Sequence, residues 1–348
     1  MSGAEYHVPV LLEEVLKLFV DGDGVTVSSP NSGANGGTSA GNGTVTPSSI
    51  KNGRRVYVDG TLGGGGHFRA IVDALSRGGW AENAVVIGID RDREAVENAR
   101  RVDFGEVKPR IIIEQARFSE FDFVLDAYNI ERVDGLFVDL GVSSRQIDVP
   151  ERGFMYMKDA PLDMRMDQGG GVTAAEFLER SDEGELASVF EMYGEIRNAR
   201  RMAGVIKGYM RNKKILTSAD LWDCVKREYG ANVKIQVVAK LFQALRIAVN
   251  GEFEELRTFL DKSINRLAEG GKIAIISYHS LEDRMVKDFF RTAEEACVCP
   301  LGHPVCICDK TVLLKRVNRK AVMASAEEIR RNPRSRSARL RVAERMSY

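Results

Sequence analysis

The chain has 348 residues, 44% of them hydrophobic, so it is long enough for two domains or for one domain with a large insertion. Its 50 lysines and arginines balance 50 aspartates and glutamates, so the net charge says nothing for or against a nucleic-acid partner. No apolar run approaches the roughly 18 residues of a membrane span, no export signal is visible, and the five cysteines do not suit a disulfide framework. We therefore expect a cytoplasmic protein without membrane segments.

Two segments precede the first predicted strand. Apolar residues at helical spacing between positions 7 and 19 predict an amphipathic helix. Positions 21–54 are rich in glycine, serine, asparagine and threonine and have almost no large apolar side chains. Because such a tract cannot offset its ordering entropy by burial, we expect a flexible insertion without a catalytic role.

Five short runs of β-branched and aliphatic residues follow. They lie at 56–59, 85–89, 111–113, 135–138 and 272–277, with helical patterns between the first four. Continuous apolar strands that alternate with helices are typical of a parallel sheet covered on both faces. We therefore predict a doubly wound, Rossmann-like α/β fold whose ligands bind beyond the carboxyl ends of the strands.

The stretch between the fourth and fifth runs has helical patterns and no convincing strand. We predict an inserted helical subdomain at 148–244, between two parts of one sheet domain at 1–147 and 245–348. One part of the insert is rich in positive charge: Arg197, Arg200, Arg201, Lys207, Arg211, Lys213 and Lys214. Such a run is either a solvated helix face or a contact for a nucleic-acid backbone.

Glycines at positions 63–66 follow the first strand and open a helix. Glycine allows positive φ and close backbone approach to a ligand, and a helix N-terminus presents N–H groups to it. The spacing does not fit the dinucleotide pattern G-x-G-x-x-G, because Phe68 stands where the third glycine would be. Asp90, after the second strand, is placed to accept hydrogen bonds from ribose hydroxyls. These features predict a nucleoside-containing ligand with little phosphate, although four glycines can also form only a tight turn.

Eight longer strings stand out along the chain: DGTLGGGGH at 59–67, GIDRD at 88–92, DLGVSS at 139–144, PERGF at 150–154, PLDMRMD at 161–167, FQALRI at 242–247, SYHSLEDR at 277–284 and NPRSRSAR at 332–339. Together they resemble the bacterial 16S rRNA cytosine-N4 methyltransferase family. The resemblance runs from position 7 to the C-terminus and is interrupted by the tract at 21–54.

This resemblance implies a class I methyltransferase fold with a helical substrate-recognition insert, and S-adenosyl-L-methionine as the cofactor. It also implies cofactor contacts at Gly65, Gly66, His67, Asp90, Phe118, Asp139 and Gln146. The two glycines and His67 would line the methionine and ribose side, Asp90 would bind the ribose and Phe118 would flank the adenine. The alternatives are burial in the core for Phe118 and packing in the first helical turn for His67.

Asp139, at the end of the fourth strand, is the candidate catalytic residue. The exocyclic amine of cytosine is a poor nucleophile because its lone pair is delocalised into the ring. A hydrogen-bond acceptor on its N–H would help the proton to leave. Asp139 would orient either the cofactor or the amine, and a purely structural role at the strand end is the third possibility.

The substrate that the resemblance implies is a cytidine in 16S rRNA of the small ribosomal subunit, near the decoding site. No protein partner is evident. A base that is methylated on its amine must be exposed or flipped, and basic side chains would hold the flanking backbone. Besides the basic part of the insert, the C-terminal arginines are candidates for this contact: Arg330, Arg331, Arg334, Arg336, Arg339, Arg341 and Arg345. His279 is a further candidate for substrate contact, while Ser280 and Asp283 are expected to cap a helix.

Two further clusters have a structural and a functional interpretation. Asp163, Arg165 and Asp167 alternate with apolar residues, and a local ion-pair network is favoured over a catalytic device. A second group could bind zinc: Cys297, Cys299, His303, Cys306 and Cys308. Its C-x-C spacing differs from the usual C-x₂-C, so coincidental thiols in a loop are the favoured interpretation and metal binding stays open.

Three other functions compete with rRNA methylation. A methyltransferase of small molecules or proteins would turn over without ribosomal particles. An RNA-binding assembly factor that has lost catalysis would bind ribosomes without methyl transfer. An NAD-dependent oxidoreductase is disfavoured by the missing third glycine.

Overall fold

The computed structural model describes residues 9–19, 54–230, 232–297, 299, 308 and 310–347. The insertion predicted at 21–54 therefore lies outside the described residues, except for Arg54. The chain forms two compact units, one from Met1–Asp90, Ala95–Leu140 and Phe259–Tyr348 and the other from Arg91–Glu94 and Gly141–Thr258. Within the described ranges, no helix has the length and apolar character needed to cross a membrane.

The first unit, called the sheet unit below, contains one sheet of eight strands among the described residues. Their bounds are β1 Arg55–Asp59, β2 Ala84–Asp90, β3 Arg110–Gln115, β4 Val133–Asp139, β5 Leu267–Ser277, β6 Leu314–Arg316, β7 Val322–Met323 and β8 Arg339–Arg345. The order is β3-β2-β1-β4-β5-β8-β6, with β7 paired to β8. Neighbours among β1 to β5 are parallel, whereas β8 is antiparallel to β5, β6 and β7. The predicted doubly wound α/β fold is confirmed.

The helices alternate with the first four strands and then form a continuous helical stretch. Their bounds are α1 Leu12–Phe19, α2 Gly66–Arg77, α3 Arg93–Arg100, α4 Phe121–Ala127, α5 Ser144–Asp148, α6 Ala174–Arg180, α7 Glu183–Gly194, α8 Ala199–Met210, α9 Ser218–Tyr229, α10 Ile235–Asn250, α11 Glu252–Arg266, α12 Ser280–Glu294 and α13 Ala326–Arg331. Helices α5 to α10 belong to the second unit, called the helical unit below.

The strand order reverses between β1 and β4. From β1 the chain moves outward through β2 and β3, and it then returns to the other side of β1 with β4. At such a reversal the loops after the two central strands diverge and leave a crevice at the carboxyl edge of the sheet. Asp59 ends β1 and Asp139 ends β4, so both carboxyl groups lie at this edge.

Close packing explains two glycines inside strands of the sheet unit. A Cβ atom at Gly88 would lie 2.5 Å from Leu62 Cδ2, and one at Gly135 would lie 2.7 Å from the rings of Phe19 and Tyr57. Phe19 belongs to α1, whose apolar face is buried as its helical spacing predicts. The helix predicted at 7–19 is thus present as α1 from Leu12 onward, whereas the described residues 9–11 are not helical.

The helical unit has an apolar core of its own. Its fully buried side chains include Leu178, Leu186, Phe190, Met202, Ile206, Leu221, Val238 and Leu241. The buried amide of Asn250 donates to Met164 O and accepts from the N–H of Met166, each at 2.8 Å, which fixes a loop segment of the unit. In that segment Arg165 and Asp163 form two hydrogen bonds at 2.8 and 2.9 Å, which confirms this pair of the predicted network, whereas Asp167 accepts from the N–H of Gly169 at 2.8 Å.

Candidate active site

The glycine turn forms the N-terminal end of α2. Gly65 has φ +77° and precedes the helix, whose first turn receives no hydrogen bond from a capping side chain. Cβ atoms at Gly64 and Gly65 would meet nothing within 4 Å, so the backbone is open on this side. Uncapped N–H groups at a helix N-terminus beside an open backbone suit a ligand with hydrogen-bond acceptors.

Asp90 is held at the end of β2 by the same turn. The N–H of Gly63 donates a 2.7 Å hydrogen bond to Asp90 Oδ2, and Gly63 adopts φ +47°. The N–H of Leu62 donates to Ile89 O at 3.0 Å, so the turn is fastened to β2 at two consecutive points. The Asp90 carboxylate is therefore fixed beside the glycine turn, as its predicted contact with a ribose requires.

Asp59 is a buried carboxyl group at the centre of this edge, with 1% of its surface exposed. Burial raises its pKa well above the usual range, the N–H of Thr61 opposes this, and the nearby Asp139 and Asp90 raise it further. Its Oδ2 atom has no hydrogen-bond partner among the described residues. Three acidic side chains thus meet at one edge, and their mutual repulsion favours a ligand that brings positive charge.

Asp139 is positioned by hydrogen bonds on both its backbone and its side chain. Its N–H donates to Thr61 Oγ1 at 2.7 Å, and Tyr278 donates its phenolic hydrogen to Asp139 Oδ1 at 2.8 Å. Burial raises the pKa of Asp139 to about 7, the bond from Tyr278 opposes this rise, and Glu282 adds to it. A carboxyl group with this pKa exchanges a proton at neutral pH, which suits a general base.

His67 lies in the first turn of α2 and is buried. Its Nε2 atom is 2.8 Å from Val10 O, so this nitrogen carries the hydrogen and donates it. Burial lowers the pKa of His67 to about 4, so the ring is neutral at pH 7. The 3.9 Å approach of Nδ1 to Asp139 Oδ2 is therefore not an ion pair. His67 packs within the sheet unit, and its predicted contact with a cofactor stays a prediction.

Phe118 opens a short 3₁₀ turn, Phe118–Glu120, after β3. Its ring makes an edge-to-face contact with Phe259, with 5.5 Å between centroids, while part of the side chain stays exposed. A Cβ atom at Gly60 would lie 3.0 Å from Phe118 Cβ, so Phe118 packs closely against the loop after β1. Phe118 thus combines a packing contact with a partly open surface, and its predicted contact with adenine stays a prediction.

Gln146 belongs to the helical unit. Its side-chain carbonyl accepts from the N–H of Ser143 at 3.0 Å and its amide donates to Asp92 Oδ2 at 3.0 Å. The same Asp92 oxygen lies 2.8 Å from Arg152 Nη1. These contacts give Gln146 a structural role as the partner of the N-cap Ser143 in the capping box of α5, and its predicted contact with a cofactor stays a prediction.

A capping residue does precede α12, but the prediction that Ser280 and Asp283 form this cap is wrong. His279, not Ser280, is the N-cap, and it forms a capping box with Glu282. The expected capping partner Asp283 instead binds Arg341 at 2.6 Å and Arg339 at 3.0 Å. His279 is the better cap because the residue before the first helical turn is the one whose side chain can reach the N–H groups of that turn. The suggested substrate contact of His279 stays a prediction.

The C-terminal arginines do not form one basic surface. Arg341 and Arg345 lie on β8 and are buried, so they are removed from solvent. Arg330 and Arg336 are exposed. The prediction of a shared phosphate-binding role is therefore wrong for the two buried arginines and stays open for the exposed ones.

The basic part of the helical unit is partly neutralised by its own acids. Arg201 pairs with Glu228 at 2.7 Å, Lys213 with Asp220 at 2.6 Å and Lys214 with Glu179 at 2.7 Å. Lys207 donates to the carbonyl oxygen of Leu178 at 2.8 Å. The remaining basic residues, Arg197, Arg200 and Arg211, are exposed on α8 or directly beside it. The positive surface of this unit is thus smaller than the sequence indicates.

Three of the clustered cysteines are described, whereas His303 and Cys306 lie outside the described residues. The sulfur atoms of Cys297, Cys299 and Cys308 all lie within 4.8 Å of one another. The structure thus brings together three potential metal ligands that the C-x-C spacing alone did not favour.

Two residues of the site were missed by the sequence analysis. Tyr278 was noted only as a residue after the fifth strand, and Thr61 only as part of the glycine string. Both act on Asp139, one through its side chain and one through its backbone. The available signal was the strand order, since residues just after neighbouring parallel strands meet at one edge.

Comparison with known proteins gives similarities over almost the whole chain. A family model described as the MraW methylase family matches residues 4–346. The Ribosomal RNA small subunit methyltransferase H of Syntrophotalea carbinolica is 44% identical over 296 residues, which cover 84% of this chain and 92% of that protein. The protein of the same name from Chlorobium luteolum is 41% identical over 350 residues, which cover 99% of this chain and 97% of that protein. A crystal structure of an rRNA methylase from Streptococcus thermophilus aligns with a TM-score of 0.34 at 11% identity. The alignment covers 85% of this chain and 89% of that one.

Proposed function

The chain belongs to the MraW methylase family, as its motifs indicate, and from this premise we propose its reaction. It transfers a methyl group from S-adenosyl-L-methionine to the exocyclic N4 of a cytidine in 16S rRNA, near the decoding site of the small ribosomal subunit. The name of the two relatives, Ribosomal RNA small subunit methyltransferase H, supports this substrate. The observation that carries the proposal is the pairing of Asp139 with Tyr278 at the sheet edge that also bears the glycine turn and Asp90.

The residues of this edge fit the proposed cofactor. Asp90 is fixed by Gly63 and would accept hydrogen bonds from the ribose, and the open backbone at Gly64 and Gly65 would leave room beside it. S-adenosylmethionine carries a sulfonium and an ammonium group, and both would be attracted by Asp90 and by the ionised form of Asp139. A dinucleotide is a poorer fit, since its phosphates would face the same carboxyl groups.

The chemistry needs a hydrogen-bond acceptor beside the amine. When bound, the cofactor supplies an electrophilic methyl carbon on a positively charged sulfur. Asp139 Oδ2 would accept a hydrogen bond from the cytosine amine while Tyr278 holds Oδ1. The proton that the amine loses passes to the ionised carboxylate and then to water, a sequence that a pKa of about 7 permits in both directions. Alignment of amine and methyl supplies the remaining rate enhancement.

The proposed substrate is large, so most of its contacts lie away from the reacting amine. We assign recognition of the rRNA to the helical insert predicted at 148–244, together with exposed arginines of the C-terminal segment. Arg197, Arg200 and Arg211 are the exposed candidates in the helical unit. The place of action is the cytoplasm, where the small subunit is assembled.

The experiment that tests the proposal uses small ribosomal subunits that lack the modification. They are incubated with the full chain and with S-adenosylmethionine labelled in its methyl group, and the rRNA is then digested to nucleosides for mass analysis. Labelled N4-methylcytidine is the expected product. Label in another nucleoside, or in ribosomal protein, would overturn the proposed acceptor while keeping methyl transfer. No label despite measurable cofactor binding would favour an assembly factor without catalysis.

A further inference from the structure

The strongest site outside the proposed active site is the thiol cluster between α12 and β6. Cys297, Cys299 and Cys308 offer three sulfur atoms within 4.8 Å of one another. We propose that these three residues bind one thiophilic divalent metal ion, of which zinc is the reference case, and that the ion stabilises this part of the sheet unit. The proposal does not depend on the proposed reaction.

The sulfur–sulfur distances agree with thiolate ligands of one ion. Zinc–sulfur bonds of about 2.3 Å at tetrahedral angles place neighbouring sulfurs about 3.8 Å apart. Cys308 Sγ lies 3.8 Å from Cys297 Sγ. A disulfide needs about 2.05 Å between sulfurs and joins two residues only, so it accounts for neither the distance nor the third thiol.

A backbone hydrogen bond supports the thiolate form of Cys297. The N–H of Cys299 points to Cys297 Sγ with 3.3 Å between nitrogen and sulfur. A donor aimed at a sulfur atom favours its charged form, and metal thiolates are commonly held by such outer contacts. The C-x-C spacing places this N–H next to the sulfur atom. The spacing that counted against zinc in the sequence therefore supplies a hydrogen bond to one of the ligands.

The chain on both sides of the cluster is fixed. The N–H of Leu313 donates to Ala293 O at 2.9 Å, and Arg316 pairs with Glu294, so the end of α12 is tied to the start of β6. All three cysteines are exposed or only partly buried, so packing alone gives them little restraint. A metal ion held by the three thiolates would bind the folded chain in preference to the unfolded one, and its binding free energy would therefore stabilise this part of the fold.

The test measures metal directly. The full chain is purified in reducing buffer without chelator after growth with added zinc, and its metal is measured by inductively coupled plasma mass spectrometry. We expect about one zinc per chain, and after replacement by Co²⁺ the sulfur-to-cobalt charge-transfer and tetrahedral d–d absorption bands. Cys297→Ser and Cys308→Ser should each weaken zinc binding by more than about 100-fold, since changes in outer contacts alone cost about 10- to 100-fold.

The matched control is Cys224→Ala, which removes a buried thiol of α9 in the other unit. It should retain the full zinc content. If a serine variant does not fold, thiol labelling of the unmutated chain replaces it: after chelation, added Zn²⁺ should protect three thiols from reaction. A chain that binds no zinc after loading, equal zinc in Cys297→Ser, or a Cys297–Cys308 disulfide without metal would overturn the proposal.

Discussion

Tyr278 and Asp139 are joined by a 2.8 Å hydrogen bond in which the phenol donates to Oδ1 of the carboxylate. The bond links the residue after β5 to the last residue of β4, and it forms because these strands are neighbours, with Asp139 opposite Ile276. Burial raises the pKa of Asp139 and the phenol lowers it, so Tyr278 sets how much of the carboxyl group is ionised at neutral pH.

Tyr278→Phe should therefore move the pH dependence of methyl transfer. Loss of the hydrogen bond removes a contribution that lowers the pKa of Asp139, so this pKa rises from about 7. For a base that must be ionised, the midpoint of kcat against pH should move upward by about one unit, the equivalent of a bond worth about 1.4 kcal/mol. The rate at pH 7 should fall about fivefold, because the ionised fraction falls from about one half to about one eleventh, and it should recover at higher pH.

Tyr128→Phe is the matched control, because Tyr128 also donates to a carboxylate, that of Glu114, away from Asp139. Its pH profile should equal that of the unmutated chain. An equal loss of activity at every pH in Tyr278→Phe would show that the phenol only supports the fold, and would contradict its effect on the base.

Asp90→Ala should weaken cofactor binding. Losing charged hydrogen bonds worth roughly 1.5–3 kcal/mol lowers affinity by about 10- to 150-fold. Isothermal titration calorimetry with S-adenosylhomocysteine measures this without turnover. Asp73→Ala, which removes a half-exposed carboxylate of α2, is the control and should bind normally. Unchanged affinity in Asp90→Ala would mean that the ribose lies elsewhere.

The exposed arginines of the C-terminal segment should contribute to the binding of rRNA through phosphates. Replacing both Arg330 and Arg336 by alanine should lower affinity for small subunits and reduce the slope of log K against log salt by about 1.4–1.8. Replacing the exposed Arg77 and Arg101 by alanine removes the same charge from other parts of the sheet unit and should leave the slope unchanged. Equal slopes in both double variants would remove the C-terminal segment from the interface.

Arg341→Ala should lower folding stability, because Arg341 is a buried arginine of the C-terminal segment. Its pair with Asp283 is enclosed, and in Arg341→Ala the carboxylate keeps only its bond to the more exposed Arg339, so the variant should lose folding stability, by at most about 3–5 kcal/mol. Thermal denaturation measures this loss. A variant of normal stability with weakened rRNA binding would instead place Arg341 at the RNA surface and contradict its burial.

The sequence predicted the sheet and the ends of its strands because continuous apolar runs carry that information locally. It placed Asp90 and Asp139 at the edge without knowledge of the register, since each directly follows such a run. It could not place Tyr278 on Asp139, because this contact depends on which strands are neighbours.

The prediction of a basic surface formed by the C-terminal arginines was wrong for a related reason. Arginines at 339, 341 and 345 look like a solvated charge run, yet they lie on one face of β8, where Arg341 and Arg345 are buried. The burial of Arg341 is compensated by Asp283, more than fifty residues earlier in the chain. Such long-range charge pairs leave no periodic signal in the sequence.

Asp139→Asn should separate the function of this residue from its cost to folding. The asparagine keeps the shape and can still accept the hydrogen bond of Tyr278, but it cannot take a proton, so methyl transfer should fall by about 10²- to 10⁴-fold. The free energy of unfolding of the variant should instead increase. Because the folded-state pKa is raised from 3.8 to about 7, the carboxyl group destabilises the fold progressively as pH rises between these values, and fully above pH 7.

The variant should therefore be more stable than the unmutated chain at pH 8, by about 1–4 kcal/mol, and equally stable near pH 4. Denaturant unfolding at the two pH values measures this difference, and labelled methyl transfer at pH 8 measures the activity. Full turnover in Asp139→Asn would exclude a base at this position. Lost turnover without the gain in stability would mean that Asp139 is ionised at little cost in the folded chain, and that it acts by orienting its ligand instead of by accepting a proton.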